Sequence, residues 1–197
     1  GATSTDTFDN LGRLIRVDDP APSSSQTAAA PWTTYSYDTL GRLSAVVEPN
    51  HNSDNYVNQT TYLYDGVGRV KSVTSPGPNG PAVVSYSYNA SGLLLSHTDP
   101  NGGTTTNFYD EHDRIRKSID PMGQATEVQY DAGGNPVVTT DDVSGRSLHQ
   151  SYDIRGRLFS SYVHGSDGTP GTPTYYSYDA RDLPTKTQTP LPDSTWR

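Results

Sequence analysis

Eight times in 197 residues the chain writes an aromatic residue, then Asp or Asn, then, three positions further on, Gly or Asp. Phe8-Asp9 leads to Gly12-Arg13-Leu14, Tyr37-Asp38 to Gly41-Arg42-Leu43 and Tyr64-Asp65 to Gly68-Arg69-Val70. Tyr88-Asn89 leads to Gly92, Tyr109-Asp110 to Asp113-Arg114, and Tyr130-Asp131 to Gly134. Tyr152-Asp153 leads to Gly156-Arg157-Leu158, and Tyr178-Asp179 to Asp182. A phrase that recurs every ~20–30 residues marks a repeat architecture, in which each unit stacks on its neighbours. No ordinary globular fold needs one phrase eight times.

The phrase has turn chemistry. Asp at the first position of a type I turn and Gly at the fourth is that turn's own preference. The carboxylate can accept from backbone N–H groups two residues on, and Gly supplies the positive φ that returns the chain. Where Gly is missing, Asp113 and Asp182 replace it, and Asp tolerates the left-handed region better than most residues. Before the turn, Tyr35/Tyr37, Tyr62/Tyr64, Tyr86/Tyr88 and Tyr176/Tyr178 alternate with Ser or Leu, the period of a strand with one aromatic face. After it come runs such as "RLIRV" and "RVKSV". Each unit therefore reads as a β-hairpin with its tip at Asp9–Gly12, Asp38–Gly41, Asp65–Gly68, Asn89–Gly92, Asp110–Asp113, Asp131–Gly134, Asp153–Gly156 or Asp179–Asp182. The opposite ends are tight at Asp99–Gly102 and Asp120–Gly123. They swell after Pro20, Pro49, Ser75 and His164.

A lone hairpin is marginal in water, so the units must pair. The expected fold is all-β: tandem antiparallel hairpins forming one long sheet, which twist should curve or spiral. Residues 1–197 read as a single array with no second domain. Hydrophobic residues make up 31% of the chain, well below the ~45–50% of ordinary domains, which argues against a two-layer sandwich. A formal charge of −8 disfavours nucleic acid. No apolar run is long enough to span a membrane, and without Cys neither disulfides nor thiolate metal sites exist.

The Y-D-x-x turn followed by G-R-[LV]-x-x-x-x-[DE]-P, as in Gly12 to Pro20 and Gly41 to Pro49, resembles the rearrangement-hotspot, or tyrosine–aspartate (YD), repeat family. The likeness runs from Phe8 to Leu183 and is strongest to bacterial members. It implies a β-ribbon that spirals into a hollow shell, which in bacterial toxins encloses a C-terminal toxin domain and in teneurins belongs to large cell-surface proteins. The family's aspartyl autoprotease region, around D-P-x-G-L, has no counterpart here, so that role passes to no residue. The expectation is a non-enzymatic scaffold, a repeat segment of a larger secreted or surface bacterial protein whose signal lies elsewhere. Its partner would be the rest of its own polypeptide, including a toxin. The rivals are a carbohydrate- or cell-surface-binding module and a fibre subunit that self-associates through open strand edges, Thr3–Phe8 at one end and Thr185–Thr189 at the other.

No catalytic residue, metal or cofactor is expected. His51, His97, His112, His149 and His164 share no ligand spacing. Asp131 and Asp141-Asp142 lack a calcium-loop pattern. Asn58 and Asn89 stand in glycosylation sequons by pattern alone. The recurring Arg13, Arg42, Arg69, Arg114 and Arg157 could hold an anion, or could pair with a tip Asp one unit along to make a ladder of charges at the sheet edge. The rows Tyr35, Tyr37, Tyr62, Tyr64, Tyr86, Tyr88, Tyr176 and Tyr178 could stack on sugar rings, while cross-strand aromatic packing explains them without a ligand. Gly77, in a swollen connection, is expected to tolerate valine better than Gly41 or Gly156.

Overall fold

The computed structural model describes residues 3–20, 31–48 and 58–189. The connections after Pro20 and Pro49, His51 and the stretch beyond Thr189 lie outside the described residues. Those residues contain no helix. They form sixteen strands in eight successive hairpins: β1 (Thr5–Phe8) with β2 (Leu14–Asp18), β3 (Trp32–Tyr37) with β4 (Leu43–Glu48), β5 (Asn58–Tyr64) with β6 (Val70–Ser75), and β7 (Ala82–Tyr88) with β8 (Leu94–Thr98). The second half continues with β9 (Thr104–Tyr109) and β10 (Ile115–Ile119), β11 (Ala125–Tyr130) and β12 (Pro136–Asp141), β13 (Arg146–Tyr152) and β14 (Leu158–His164), and β15 (Thr174–Tyr178) and β16 (Pro184–Gln188). Strands hydrogen-bond in chain order as one antiparallel sheet. The all-β hairpin array is the fold that the repeat dictates.

The chain divides into two compact units. The first comprises Gly1–Ser87 with His97–Gly102, and the second Tyr88–Ser96 with Gly103–Arg197. Within the first, β1 to β7 pair neighbour to neighbour. Within the second, β9 to β16 do the same. Rungs carry matched side chains across several strands of a unit. In the first unit, Tyr62 opposes Val73 and Val73 opposes Val84. In the second, Val128 opposes Thr139, which opposes Leu148 and then Val163. Such cross-strand pairs, at roughly 0.2–1 kcal/mol each, are the unit of sheet stability.

Burial is shallow throughout. Among the described residues only Ala45 and Ala125 are buried, while large apolar side chains such as Leu63 and Phe159 are half or more exposed. An array of this kind draws its stability from nearest-neighbour interfaces.

One connection departs from expectation. Residues 75–82 form a tight turn in which Gly80 N–H donates to the Gly77 carbonyl at 3.3 Å. A Cβ on Gly77 would stand 2.6 Å from the Gly80 carbonyl oxygen, so this site has no room for valine. The extra residues fold back on themselves, and Gly77 is where they do so.

Candidate functional site

Every hairpin tip is built the same way. Gly12 N–H donates to Asp9 O at 3.0 Å, and Asp9 N–H donates to Arg13 O at 2.9 Å. This is a type I turn closed by one left-handed residue, the usual three-residue hairpin loop. The same pair of bonds recurs at Asp38 and Gly41, Asp65 and Gly68, Asn89 and Gly92, and Asp110 and Asp113. It recurs again at Asp131 and Gly134, Asp153 and Gly156, and Asp179 and Asp182. The closing residue has a positive φ even where it is not glycine, +62° at Asp113 and +64° at Asp182.

The tip carboxylate fills two roles at once. In Asp9, Oδ1 accepts from the N–H groups of Leu11 and Arg13, both at 2.9 Å, and Oδ2 accepts from Arg13 Nε at 2.7 Å. Asp38 with Arg42, Asp65 with Arg69, Asp110 with Arg114 and Asp153 with Arg157 repeat the arrangement. Each arginine thus binds the Asp of its own tip, four residues back, instead of an Asp one unit along. The turn brings those two side chains together before any neighbour is available. Arg157 adds a bond of 2.6 Å to the next unit, to the closing residue Asp182, which Arg155 also reaches at 3.2 Å.

What crosses from unit to unit is the arginine's flat face. The Arg13 guanidinium lies 4.5 Å from the Tyr37 ring centre, Arg42 4.4 Å from Tyr64, Arg114 4.4 Å from Tyr130 and Arg157 4.7 Å from Tyr178. Each tyrosine returns the contact through its hydroxyl. Tyr37 donates to Leu14 O at 2.8 Å, Tyr64 to Leu43 O at 2.7 Å, Tyr109 to Leu94 O at 2.7 Å, Tyr130 to Ile115 O at 2.8 Å and Tyr178 to Leu158 O at 3.0 Å. The acceptor is always the residue two beyond the closing position. A bulge explains why that carbonyl is available. At Leu14 the β1–β2 pairing shifts by one residue beside Phe8, and the ladder from β2 to β3 begins only at Arg16. That carbonyl has no ladder partner on this side, and the next hairpin's phenol supplies one. The same arginine also approaches the following tip, with Arg13 Nη1 3.5 Å from where a Cβ on Gly41 would stand and Arg42 Nη1 3.6 Å from that of Gly68.

Of the tyrosines singled out in the sequence, Tyr37, Tyr64 and Tyr178 are therefore engaged on one ring face and at the hydroxyl. Tyr35 opposes Val46 and Tyr62 opposes Val73 across the ladder, and the Tyr176 hydroxyl lies 3.1 Å from Ser161 Oγ. Tyr86 and Tyr88 are half-buried in β7. The sequence reading missed the hydroxyl-to-carbonyl bond. Its signal was present: an aliphatic residue after each arginine and a YD tyrosine one unit later.

Three units vary the scheme. In the eighth, Leu183 takes the arginine's place, and Asp179 Oδ1 accepts from the N–H groups of Arg181 and Leu183 at 2.8 and 3.0 Å. In the sixth, Asn135 stands in for arginine and donates its amide to both Asp131 oxygens, at 3.3 and 3.0 Å. In the fourth, Asn89 Oδ1 accepts from Leu93 N–H at 2.9 Å. The Tyr109 bond to Leu94 survives although Leu93 replaces arginine there.

The tips hold their acidic groups ionised. The Arg114 guanidinium beside Asp110 brings its carboxyl down to about 2. Asp153 is lowered chiefly by the Arg157 side chain, Asp9 and Asp38 chiefly by the backbone N–H groups of Arg13 and Arg42, and Asp131 chiefly by the Asn135 amide. A depressed carboxyl binds fewer protons folded than unfolded. Its stabilisation is present above the unfolded value of about 3.9 and fades as pH falls through the folded one. The tip contribution to stability should accordingly hold steady down to about pH 4 and decline from there toward about pH 2, with Asp110→Asn reducing the slope of melting temperature against pH in that window. A melting temperature falling equally in wild type and variant would contradict the assignment.

Among the described residues no group of three or more His, Asp or Glu is placed to hold a metal. No helix there is long and apolar enough to cross a membrane.

Comparison with known proteins places this geometry. The profile of the teneurin YD-shell matches residues 7–191. Among solved structures, TcdB2-TccC3 without its hypervariable C-terminal region superimposes with a TM-score of 0.70 at 18% identity, over 98% of this chain and 11% of that one. TcdB2-TccC3 itself gives 0.56 at 16%, over 94% and 12%. The Tc holotoxin pore of Photorhabdus luminescens gives 0.55 at 17%, over 94% and 11%. The chain thus spans about a tenth of the length of the structures it matches. No curated protein matches it.

Proposed function

The chain belongs to the teneurin YD-shell family, and from that premise we propose that it is a stretch of wall in a larger secreted or cell-surface bacterial protein, enclosing a toxin domain of the same polypeptide. Its own work is structural and non-catalytic. The observation that carries this reading is the inter-hairpin lock. Arginine, tyrosine and a bulge carbonyl join the first hairpin to the second, the second to the third, the fifth to the sixth and the seventh to the eighth, so the repeated chemistry is spent on joining unit to unit. A wall needs that joining wherever it runs. Residues 1–197 act in this reading as one continuous array, with the tip residues Asp9 to Asp182 as its repeating fastener and no cofactor.

The fold likeness to TcdB2-TccC3, with a named C-terminal region absent from one form, supports a wall with separable contents. The test is protease protection in the full-length polypeptide that contains these residues. A downstream domain inside a wall should resist digestion until denaturant opens the array, and should then be cut rapidly. A downstream domain cut at the same rate in the native protein as on its own would overturn the proposal.

A further inference from the structure

The second unit carries a cluster that the repeat scheme does not use. His149 on β13 opposes Tyr162 on β14. Their rings stack at 5.0 Å with only 13° between planes. The His164 ring lies 4.2 Å from His149 and 5.3 Å from Tyr162. Ser147 Oγ sits 2.9 Å from His149 Nε2. Strand alternation puts this trio on the sheet face opposite Tyr152 of the repeat. The two imidazoles are tilted by 32° with their centres 4.2 Å apart, a packing of ring on ring; nitrogens converging on a single metal ion would require an edge-on approach.

The cluster sits where the unit's ladder is thinnest. The β14–β15 pairing consists of two rungs, Ser160 with Tyr175 and Ser161 with Thr174. Beyond them the connection 165–173 is tied back by an isolated bridge from His164 to Pro170 and by Gly171 N–H donating to Val163 O at 2.8 Å. His164 therefore belongs to both the aromatic trio and the tie.

We propose that His149, Tyr162 and His164 form an acid-sensitive seam, which loosens β14 from the connection 165–173 when both imidazoles are protonated. One imidazolium is tolerated, because the Tyr162 face can receive a cation. A second one 4.2 Å from the first meets a like charge at close range.

Little in the surroundings would neutralise that pair. On β12, Val138 and Thr140 oppose His149 and Ser147. On β13 and β14 the same face holds Ser147, Ser151 and Ser160, and β15 adds Tyr175. The carboxylates toward this face are Glu127 on β11, opposite Thr140 and held by Lys117 Nζ at 2.7 Å, and Asp142, two residues beyond Thr140, whose charge also acts on Lys117. Asp167 in the connection is engaged by Thr169, through its N–H at 3.0 Å and Oγ1 at 2.6 Å. Asp141 and Arg146 oppose one another, and alternation puts both on the other face.

The direction of titration agrees. Burial, and secondarily His164, hold His149 below its ordinary value. The unfolded chain then binds the proton more readily, so the seam is at full strength above about pH 6.5 and weakens as pH falls below it. The tip carboxylates are still ionised there, so the two acid responses separate.

Hydrogen exchange on the full chain, corrected for intrinsic rates, at about pH 7.5 and about pH 5 tests the seam across the range where histidine titrates. Residues 158–173 should lose protection at the lower pH while β9 to β11 keep theirs, and His164→Phe, which keeps a ring but no proton site, should remove that loss. Uniform loss across the second unit would overturn the proposal, as would an equal loss in the variant. Should the variant fail to fold, proton NMR titration of the wild-type histidines decides. Mutually dependent titrations of His149 and His164, with His149 below the ordinary range, support the seam. Independent titrations at ordinary values for both would refute it.

Discussion

Replacing Gly41 by valine should destabilise the array by about 1–3 kcal/mol, the cost of holding a β-branched residue in a strained backbone region. The backbone sets the cost: Gly41 has φ +80°, while the Arg13 guanidinium of the preceding hairpin, 3.5 Å from where its Cβ would be, leaves room for it. Gly156→Val should cost a similar amount at φ +76°, where the neighbour is the Asn135 side chain at 3.6 Å. Gly77→Val now belongs in the same class for a different reason, a backbone oxygen 2.6 Å from the added atom. Denaturant midpoints measured for the three variants should all fall. A Gly41→Val chain within error of wild type would show that the closing residue is not constrained.

The second large effect is expected at Tyr64. Tyr64→Ala should cost about 2 kcal/mol, below the range for fully buried aromatics because the ring is only half-buried. It removes the platform under Arg42 and the donor to Leu43 O together. Tyr64→Phe separates the two: the ring stays, the carbonyl loses its partner, and about 1 kcal/mol should go with it. Equal stabilities for the Phe variant and wild type would mean that water satisfies Leu43 O and the hydroxyl is dispensable. Tyr35→Phe is the control, since Tyr35 faces Val46 across the ladder.

The tips were legible because their chemistry is local. Asp38 and Gly41 are three residues apart, and turn preference alone sets their geometry, so all eight hairpins could be placed from spacing. The arginine's partner was misjudged because the sequence contains two acceptable aspartates. Asp38 is four residues from Arg42 in the same tip, and Asp65 occupies the equivalent place one hairpin on. The choice between them depends on the direction in which the left-handed residue sends the chain. The tyrosine bond to Leu14, Leu43 or Leu158 left a trace in the sequence, but its geometry was hidden for a related reason. It goes with a bulge beside the YD aromatic of the preceding hairpin, at Phe8, Tyr37 and Tyr152, and period-two alternation carries no record of a one-residue shift. The histidine trio went unread because His149 and His164 are fifteen positions apart on neighbouring strands, and only the β13–β14 register makes them neighbours.

The lock also points one way along the chain. Each tyrosine donates to a carbonyl of the hairpin before it, and each arginine waits for a tyrosine that comes later. During synthesis the acceptor is therefore already in place when its donor leaves the ribosome. Growth can proceed by adding one hairpin at a time to a finished edge, with no need for distant segments to find each other. A chain assembled in this way can be lengthened or shortened by whole hairpins, because each addition asks only for a carbonyl and a guanidinium that every unit of the common type leaves behind.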